Sequence, residues 1–259
     1  MDYKLIQYLV KESAAYIYLN RPDKRNAFNE QLVNELKSAF NQALKDDKVK
    51  AVILGGRGKV FSAGADLAYL QGLQKNTYEE NLADSINLKE LYQTIYTFPK
   101  VTIAMVQGHA IAGGAGLATV CDFTYATPEA LFGYTEVKIG FIPAIVMVFL
   151  LRKIGEGKAK ELLLTGKLIE AQEALDMGLI TSVVRTGNLE NQVHAFAMNL
   201  VKNSSSQSIA NTKEMMNRVQ EMDLTDAFDF AAEMNARGRE NEDCKKGINA
   251  FLNKEKIEW

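Results

Sequence analysis

The sequence predicts an α/β fold that ends in a helical region. Three features predict it: apolar, β-rich runs closed by glycine turns, helix-period stretches after those turns, and no convincing strand from about Asn188 onward. The first segment alternates like a hairpin, with Tyr3 to Val10 and Ala14 to Leu19 joined through Lys11-Glu12-Ser13. After the polar loop Arg21–Asn26, residues Leu32, Leu36, Ala39, Phe40 and Ala43 recur at helical spacing, with Asn29 placed as the N-cap. Val49–Leu54 reads as a buried strand closed by Gly55-Gly56-Arg57-Gly58, and Val60-Phe61-Ser62 as the start of a short second strand. Gln71–Asp84 is polar with weak periodicity and reads as a mobile, partly helical loop. Ser85–Phe98 is helical and stops before Pro99.

Val101–Val106 is a further buried strand, Leu117–Val120 continues a helix out of a glycine turn, Cys121–Ala126 is strand-like, and Ala130–Gly133 is short and extended. The apolar stretch Ile142–Leu151 is too short to span a bilayer and reads as a buried helix starting after Pro143. In the tail, Leu224, Phe228, Ala231 and Ala232 form one helical face, and Ile248, Phe251 and Leu252 another. The expected division is a core over residues 1–190 and a helical region over 191–259, packed together because no low-complexity linker separates them.

Bulk properties narrow the function. The 259 residues are 47% hydrophobic and 24% charged, enough for one large core. A net charge of −2 argues against nucleic acid and membrane surfaces as partners. Cys121 and Cys244 form no Cys-x-x-Cys pair and read as free thiols in a reducing cytosol; with no signal-like apolar run at the N-terminus, a cytoplasmic location is expected. No metal cluster, dinucleotide fingerprint or phosphate loop occurs in the sequence.

Two turns carry the chemistry: Phe61-Ser62-Ala63-Gly64-Ala65-Asp66-Leu67 and Gly108-His109-Ala110-Ile111-Ala112-Gly113-Gly114-Ala115-Gly116. Each follows a β-rich run and precedes a helix-like stretch, so each can present a free backbone N–H. Two such donors converging on one oxygen would form an oxyanion hole; either turn alone is simply a tight turn.

Further fragments join these turns in a fixed order. They are Asn20-Arg21-Pro22 with Asn26-Ala27-Phe28, Val106-Gln107-Gly108, Cys121-Asp122, Phe132-Gly133-Tyr134-Thr135-Glu136 with Gly140-Phe141-Ile142-Pro143, Leu164-Thr165-Gly166, and Glu173-Ala174 with Gly178-Leu179. Together they resemble the crotonase superfamily, the enoyl-CoA hydratase/isomerase family, over nearly the whole chain. The resemblance implies a spiral of ββα units followed by trimer-forming helices, in trimers or dimers of trimers. It implies an acyl-CoA substrate, with coenzyme A entering only as part of that substrate and no other cofactor.

The resemblance also assigns residues. The N–H groups of Ala65 and Gly113 would hold the thioester carbonyl, and Glu136 would add or remove a proton beside it. Ala63, Asp66, Leu67, Gly114 and Tyr134 would meet the CoA ester, and Lys24 or Arg25 its phosphates. Phe251 and Lys254 resemble the aromatic and basic pair that a neighbouring subunit lends to bound CoA. Gly116 departs from the pattern, because standard hydratases carry a second Glu there. Tyr134, Glu79, Glu80 and Asp84 are the other candidates for its role, while His109 and His194 read as structural. With Glu136 as the one motif-matched acid, three chemistries remain open: hydration or dehydration, Δ3-Δ2 double-bond migration, and decarboxylation. A non-catalytic CoA-ester-binding homologue is the alternative outside catalysis. The stretch Gly133–Ala144 is similar to the methylglutaconyl-CoA hydratase branch, whose substrate brings its own distal carboxylate.

Overall fold

The computed structural model describes residues 2–259. In chain order the elements are β1 (Ile6–Lys11), β2 (Ala14–Leu19), α1 (Glu30–Lys45), β3 (Ala51–Gly56), α2 (Leu67–Leu73), α3 (Tyr78–Tyr96), β4 (Val101–Val106), β5 (Ala110–Ile111), α4 (Gly113–Thr119), β6 (Phe123–Ala126), β7 (Leu131–Gly133), α5 (Ala144–Thr165), β8 (Ile169–Glu170), α6 (Ala171–Asp176), β9 (Ser182–Val183), α7 (Leu189–Asn203), α8 (Ser206–Val219), α9 (Leu224–Glu240) and α10 (Glu242–Asn253). The main sheet has the order β1-β2-β3-β4-β6-β9, antiparallel only between β1 and β2. A second sheet, β5-β7-β8, stands apart from it.

β2 and β4 are buried along their whole length and β3 as far as Gly55, as continuous apolar runs require in a parallel sheet covered on both faces. One face packs on α1 through Leu32, Leu36 and Phe40, whose ring meets Phe98 edge-on at 5.3 Å between centroids. Asn29 caps α1 as expected, accepting the Leu32 N–H at 3.0 Å. The opposite face, with Tyr16, Ile53 and Ile103, is covered by Val193 and Ala197 of α7. The first helix of the tail is thus part of the core sandwich. α8 is tied down as well: Lys213 Nζ donates to Asp122 Oδ2 at 2.5 Å, and the same oxygen accepts the Thr102 N–H at 2.8 Å.

Three local expectations change. Gln71–Asp84 is not a loop but the end of α2 and the start of α3, parted only by residues 74–77. Thr77 and Glu80 form a reciprocal capping box that starts α3. Val60–Ser62 makes no strand beyond one parallel bridge, Ser62 to Ala110, and the strand expected from Cys121 starts at Phe123.

The loop before α1 is the scaffold of the first glycine turn. Arg25 and Asn26 both hold positive φ, at 51° and 54°, which Asn tolerates better than most residues. The Asn26 side chain is fully buried. Its Nδ2 donates to the carbonyls of Arg57 and Val60 at 2.9 and 2.8 Å, and its Oδ1 accepts the Arg21 N–H at 2.8 Å. Asn26→Ala would strand the Arg21 N–H and the Arg57 carbonyl, while Val60 O keeps the Gln107 Nε2 donor at 3.1 Å, and is expected to cost roughly 3 kcal/mol, read as a lower midpoint in chemical unfolding. Ser62 Oγ donates to the Asn26 backbone carbonyl at 2.9 Å, a bond the variant keeps, so a loop displaced by the lost side-chain contacts carries the first turn with it and activity should weaken below the melting temperature as well.

Candidate active site

The two glycine turns, distant in sequence, touch. The first is held from outside: Ala63 N–H donates to Arg25 O at 3.0 Å, Phe28 N–H to Gly64 O at 2.7 Å, and Asp66 N–H to Phe28 O at 2.8 Å. The second is stitched to the first, with Ile111 N–H donating to Ser62 O at 2.9 Å. A Cβ at Gly64, which has φ +83°, would lie 2.8 Å from the Ala112 Cβ and 3.1 Å from the Gly113 nitrogen. Only glycine lets the turns approach this closely.

Within this stitching two N–H groups are left over. Gly64 N–H donates to Ser62 Oγ and Ala112 N–H to Gly133 O, at 3.2 and 2.7 Å. The Ala65 and Gly113 N–H groups have no partner among the described residues, and both residues are partly exposed. Ala112, the residue before Gly113, sits at φ 52° and ψ −124°. That conformation is rare for a residue with a Cβ and turns the Gly113 N–H out of the local hydrogen-bonding network.

Glu136 opens a short 3-10 turn, Glu136–Ile139, directly after β7. The Ala112–Gly133 bond ties that strand's end to the second turn. The Glu136 carboxyl is buried, and its Oε2 has no hydrogen-bond partner among the described residues. Burial therefore raises its pKa above the ordinary carboxylate value, against a smaller lowering by its own backbone N–H. Such a group holds and releases a proton nearer neutrality than an exposed carboxylate does.

Position 116 is filled rather than open. A Cβ at Gly116 would stand 2.2 Å from Val146 Cγ1, 2.9 Å from Val146 Cβ and 3.1 Å from Tyr92 Cε1. Val146 belongs to the first turn of α5, just after the buried Pro143. A second acid therefore has no space at position 116 while Val146 is present.

The remaining candidates divide by location. Asp66 caps α2 through the Ala68 N–H at 3.0 Å and pairs with Arg21 at 3.2 Å. Burial works against its charge, but these contacts outweigh it and hold the carboxyl below its usual range. Lys24, Arg25 and Leu67 are exposed beside the first turn, and Gly114 is buried against Ser62. Tyr134 departs from the expected substrate contact: it is fully buried, and its hydroxyl bonds to Thr119 Oγ1 at 2.6 Å. Phe251 and Lys254 lie at the end of α10, Phe251 83% exposed, and no hydrogen bond or ion pair joins them to either turn among the described residues. Glu80 is occupied in its capping box, and Asp84 accepts from the Tyr69 hydroxyl between α2 and α3. His109 Nδ1 accepts the Leu131 N–H at 3.2 Å, and His194 bonds to Tyr16 and Glu12 on the far side of the sheet.

Arg21, Asn26, Tyr92, Ala112 and Val146 also shape the site but had no assigned role in the sequence. Arg21 and Asn26 stood in a family fragment and Ala112 in the second glycine turn, whereas Tyr92 and Val146 stood in neither.

The profile of the family described as Enoyl-CoA hydratase/isomerase matches residues 10–259. The chain belongs to the enoyl-CoA hydratase/isomerase family. Its relatives include a Thermus thermophilus protein described as a candidate enoyl-CoA hydratase, 45% identical over 94% of this chain and 96% of that one. The crotonyl-CoA hydratase of Syntrophomonas wolfei is 33% identical over 100% of this chain and 99% of its own. Among solved structures, an enoyl-CoA hydratase from Shewanella pealeana superposes with a TM-score of 0.94 at 31% identity, covering 99% of this chain and 96% of that one. The α/β architecture with its helical end is therefore the crotonase fold. No helix among the described residues is long and apolar enough to cross a membrane.

Proposed function

We propose that the protein catalyses reversible addition of water to an enoyl-CoA thioester, with Glu136 carrying the proton and the Ala65 and Gly113 N–H groups cradling the thioester oxygen. One observation carries the reading: two unpartnered N–H donors on touching turns, joined through β7 to a buried carboxyl with an unpartnered oxygen. As the C3–O bond forms, electrons move onto the thioester oxygen. Fixed donors stabilise that enolate without reorganising, each by roughly 3–4 kcal/mol. The Glu136 carboxylate takes the proton of the attacking water and then delivers it to C2 as the enolate collapses. One group thus serves as base and acid in turn.

The names of the relatives support hydration. The branch resemblance supports methylglutaconyl-CoA as substrate, its distal carboxylate helping to position the water that no side chain at Gly116 can hold. Turnover of methylglutaconyl-CoA and crotonyl-CoA, followed as loss of enoyl absorbance, tests this. The first should react faster, and equal turnover of both would remove substrate assistance. The Val146 packing favours a second reading, migration of a double bond, because a lone base moving a proton between C2 and C4 needs no held water. A 3-enoyl-CoA yielding 2-enoyl-CoA without hydroxyacyl product would establish it. Decarboxylation would release carbon dioxide, and a binding-only homologue would retain the ester unchanged.

In this reading Ala63, Asp66, Leu67 and Gly114 line the CoA path, and Lys24 or Arg25 meets its phosphates. Phe251 and Lys254 reach bound CoA from a neighbouring subunit of a trimer or a dimer of trimers. The exposure of Leu224, Phe228, Ile248 and Leu252 on α9 and α10 supports such an assembly, since a single chain leaves these apolar faces uncovered. A cytoplasmic location accords with the two free cysteines.

A further inference from the structure

We infer that Arg21 is a positioning residue that aims and polarises the Ala65 N–H through two backbone peptide units, which rests on the reading of that N–H as a thioester donor. In a trans peptide the carbonyl and the N–H lie in one plane and point in opposite directions. Whatever holds the Gly64 carbonyl therefore sets where the Ala65 N–H points. That carbonyl accepts the Phe28 N–H at 2.7 Å. The Phe28 N–H belongs in turn to the peptide whose carbonyl is Ala27 O, and Arg21 Nη1 donates to that oxygen at 2.6 Å. All peptide bonds among the described residues are trans, so the series runs in one sense from the guanidinium to Ala65.

The sense of the series matters. A cation at the carbonyl end draws electron density toward each oxygen and leaves each N–H a stronger donor, the polarity that an enolate oxygen beyond Ala65 needs. The Gly113 donor is held differently. The carbonyl of its peptide plane, Ala112 O, accepts the Gly116 N–H at 3.0 Å in the first turn of α4. Ala65 precedes α2 and takes its support from the loop before α1 instead. Arg21 is firmly seated there: its N–H donates to Asn26 Oδ1 at 2.8 Å, and its carbonyl accepts the Asn26 N–H at 2.9 Å. Its side chain is 13% exposed, and Nη2 meets Asp66 Oδ2 at 3.2 Å, one residue beyond the donor. The planar fork thus grips the Ala27 carbonyl and the Asp66 cap of α2 together, which a single ammonium does not match. Asp66 offsets the net charge of the guanidinium. Its effect is that of a charge-assisted bond at the head of the series, not of a long-range field.

The test is isotope-edited infrared spectroscopy of butyryl-CoA labelled with 13C at the thioester carbonyl. The saturating ester is bound to wild type, Arg21→Met and Arg21→Lys at a temperature where each is folded. Wild type should lower the carbonyl frequency relative to free ester. Arg21→Met removes every donor and should return about a quarter of that shift or more. Arg21→Lys keeps a charge but not the fork, so its band should fall between those of wild type and Arg21→Met. With enoyl-CoA, kcat of Arg21→Met should fall about 10-fold while KM changes by less than about threefold, as expected when one donor is slightly misaligned. A folded variant whose band coincides with that of wild type, even with a lower melting temperature, would make Arg21 merely structural and overturn the inference while leaving the cradle intact. Should Arg21→Met not fold, Arg21→Lys alone decides by the same criterion. An unshifted band in wild type would instead remove the cradle, and the inference with it.

Discussion

Glu136→Gln is expected to lower kcat by about 1,000-fold, within the range that a positioned acid–base group contributes. Affinity for a saturated CoA ester should stay within about twofold, because the Ala65 and Gly113 donors are backbone groups that the substitution leaves in place. The same carboxyl sets the pH dependence of the wild type. Below its raised pKa, Glu136 is protonated and cannot accept the proton of water. The hydration kcat/KM should therefore climb with pH through a value above the ordinary carboxylate value of 4.5. Stability runs the other way. The folded state favours the neutral carboxyl, a preference fully present below the unfolded pKa and lost as pH rises through the folded one. Glu136→Gln should therefore melt higher than wild type at pH 7.5 and approach it near pH 4. A variant that retains wild-type turnover would end the assignment of Glu136.

Gly116→Glu is expected to destabilise the protein strongly rather than equip it with a second acid. Its Cβ alone would lie 2.2 Å from Val146 Cγ1, so the first turn of α5 must shift before any carboxylate is placed. Overpacking of this kind costs roughly 1–3 kcal/mol, and burying a further carboxylate adds to it. A total near 3 kcal/mol corresponds to a melting temperature lower by about 6–12 °C. Combining it with Val146→Ala removes Cγ1 and should recover a good part of the loss. A single variant that melts within about a degree of wild type would contradict the α4–α5 packing described above.

What the sequence made legible follows from how local each signal is. Val49–Leu54 and Val101–Val106 are uninterrupted apolar runs, and they lie side by side as β3 and β4 because a sheet covered on both faces needs such runs. Asn29 and the spacing of Leu32, Leu36 and Phe40 marked α1 for the same reason. The end of α2 and the start of α3 read as a partly helical loop because exposed apolar residues there, Tyr78 and Leu82, blur the helical period. Thr77-Tyr78-Glu79-Glu80 carried the one readable sign of a helix start. In the site, glycines at positions that demand them were visible, and the fold brings their two turns together. The roles of Asn26, Tyr92 and Val146 arise from contacts across 21 to 36 positions of chain, and no local pattern encodes those. Tyr134 shows the reverse case: it lies in a family fragment, yet its hydroxyl is spent on Thr119 inside the core.

In the proposed reaction the two backbone donors stabilise an enolate while Glu136 moves the proton at C2. Hydrogen exchange at C2 of butyryl-CoA in deuterated buffer, followed by NMR, tests this directly, because it requires neither water addition nor a double bond. Wild type is expected to exchange one of the two C2 hydrogens stereospecifically, and Glu136→Gln to exchange neither. Absence of exchange in wild type under saturating ester, or equal exchange in the variant, would contradict it.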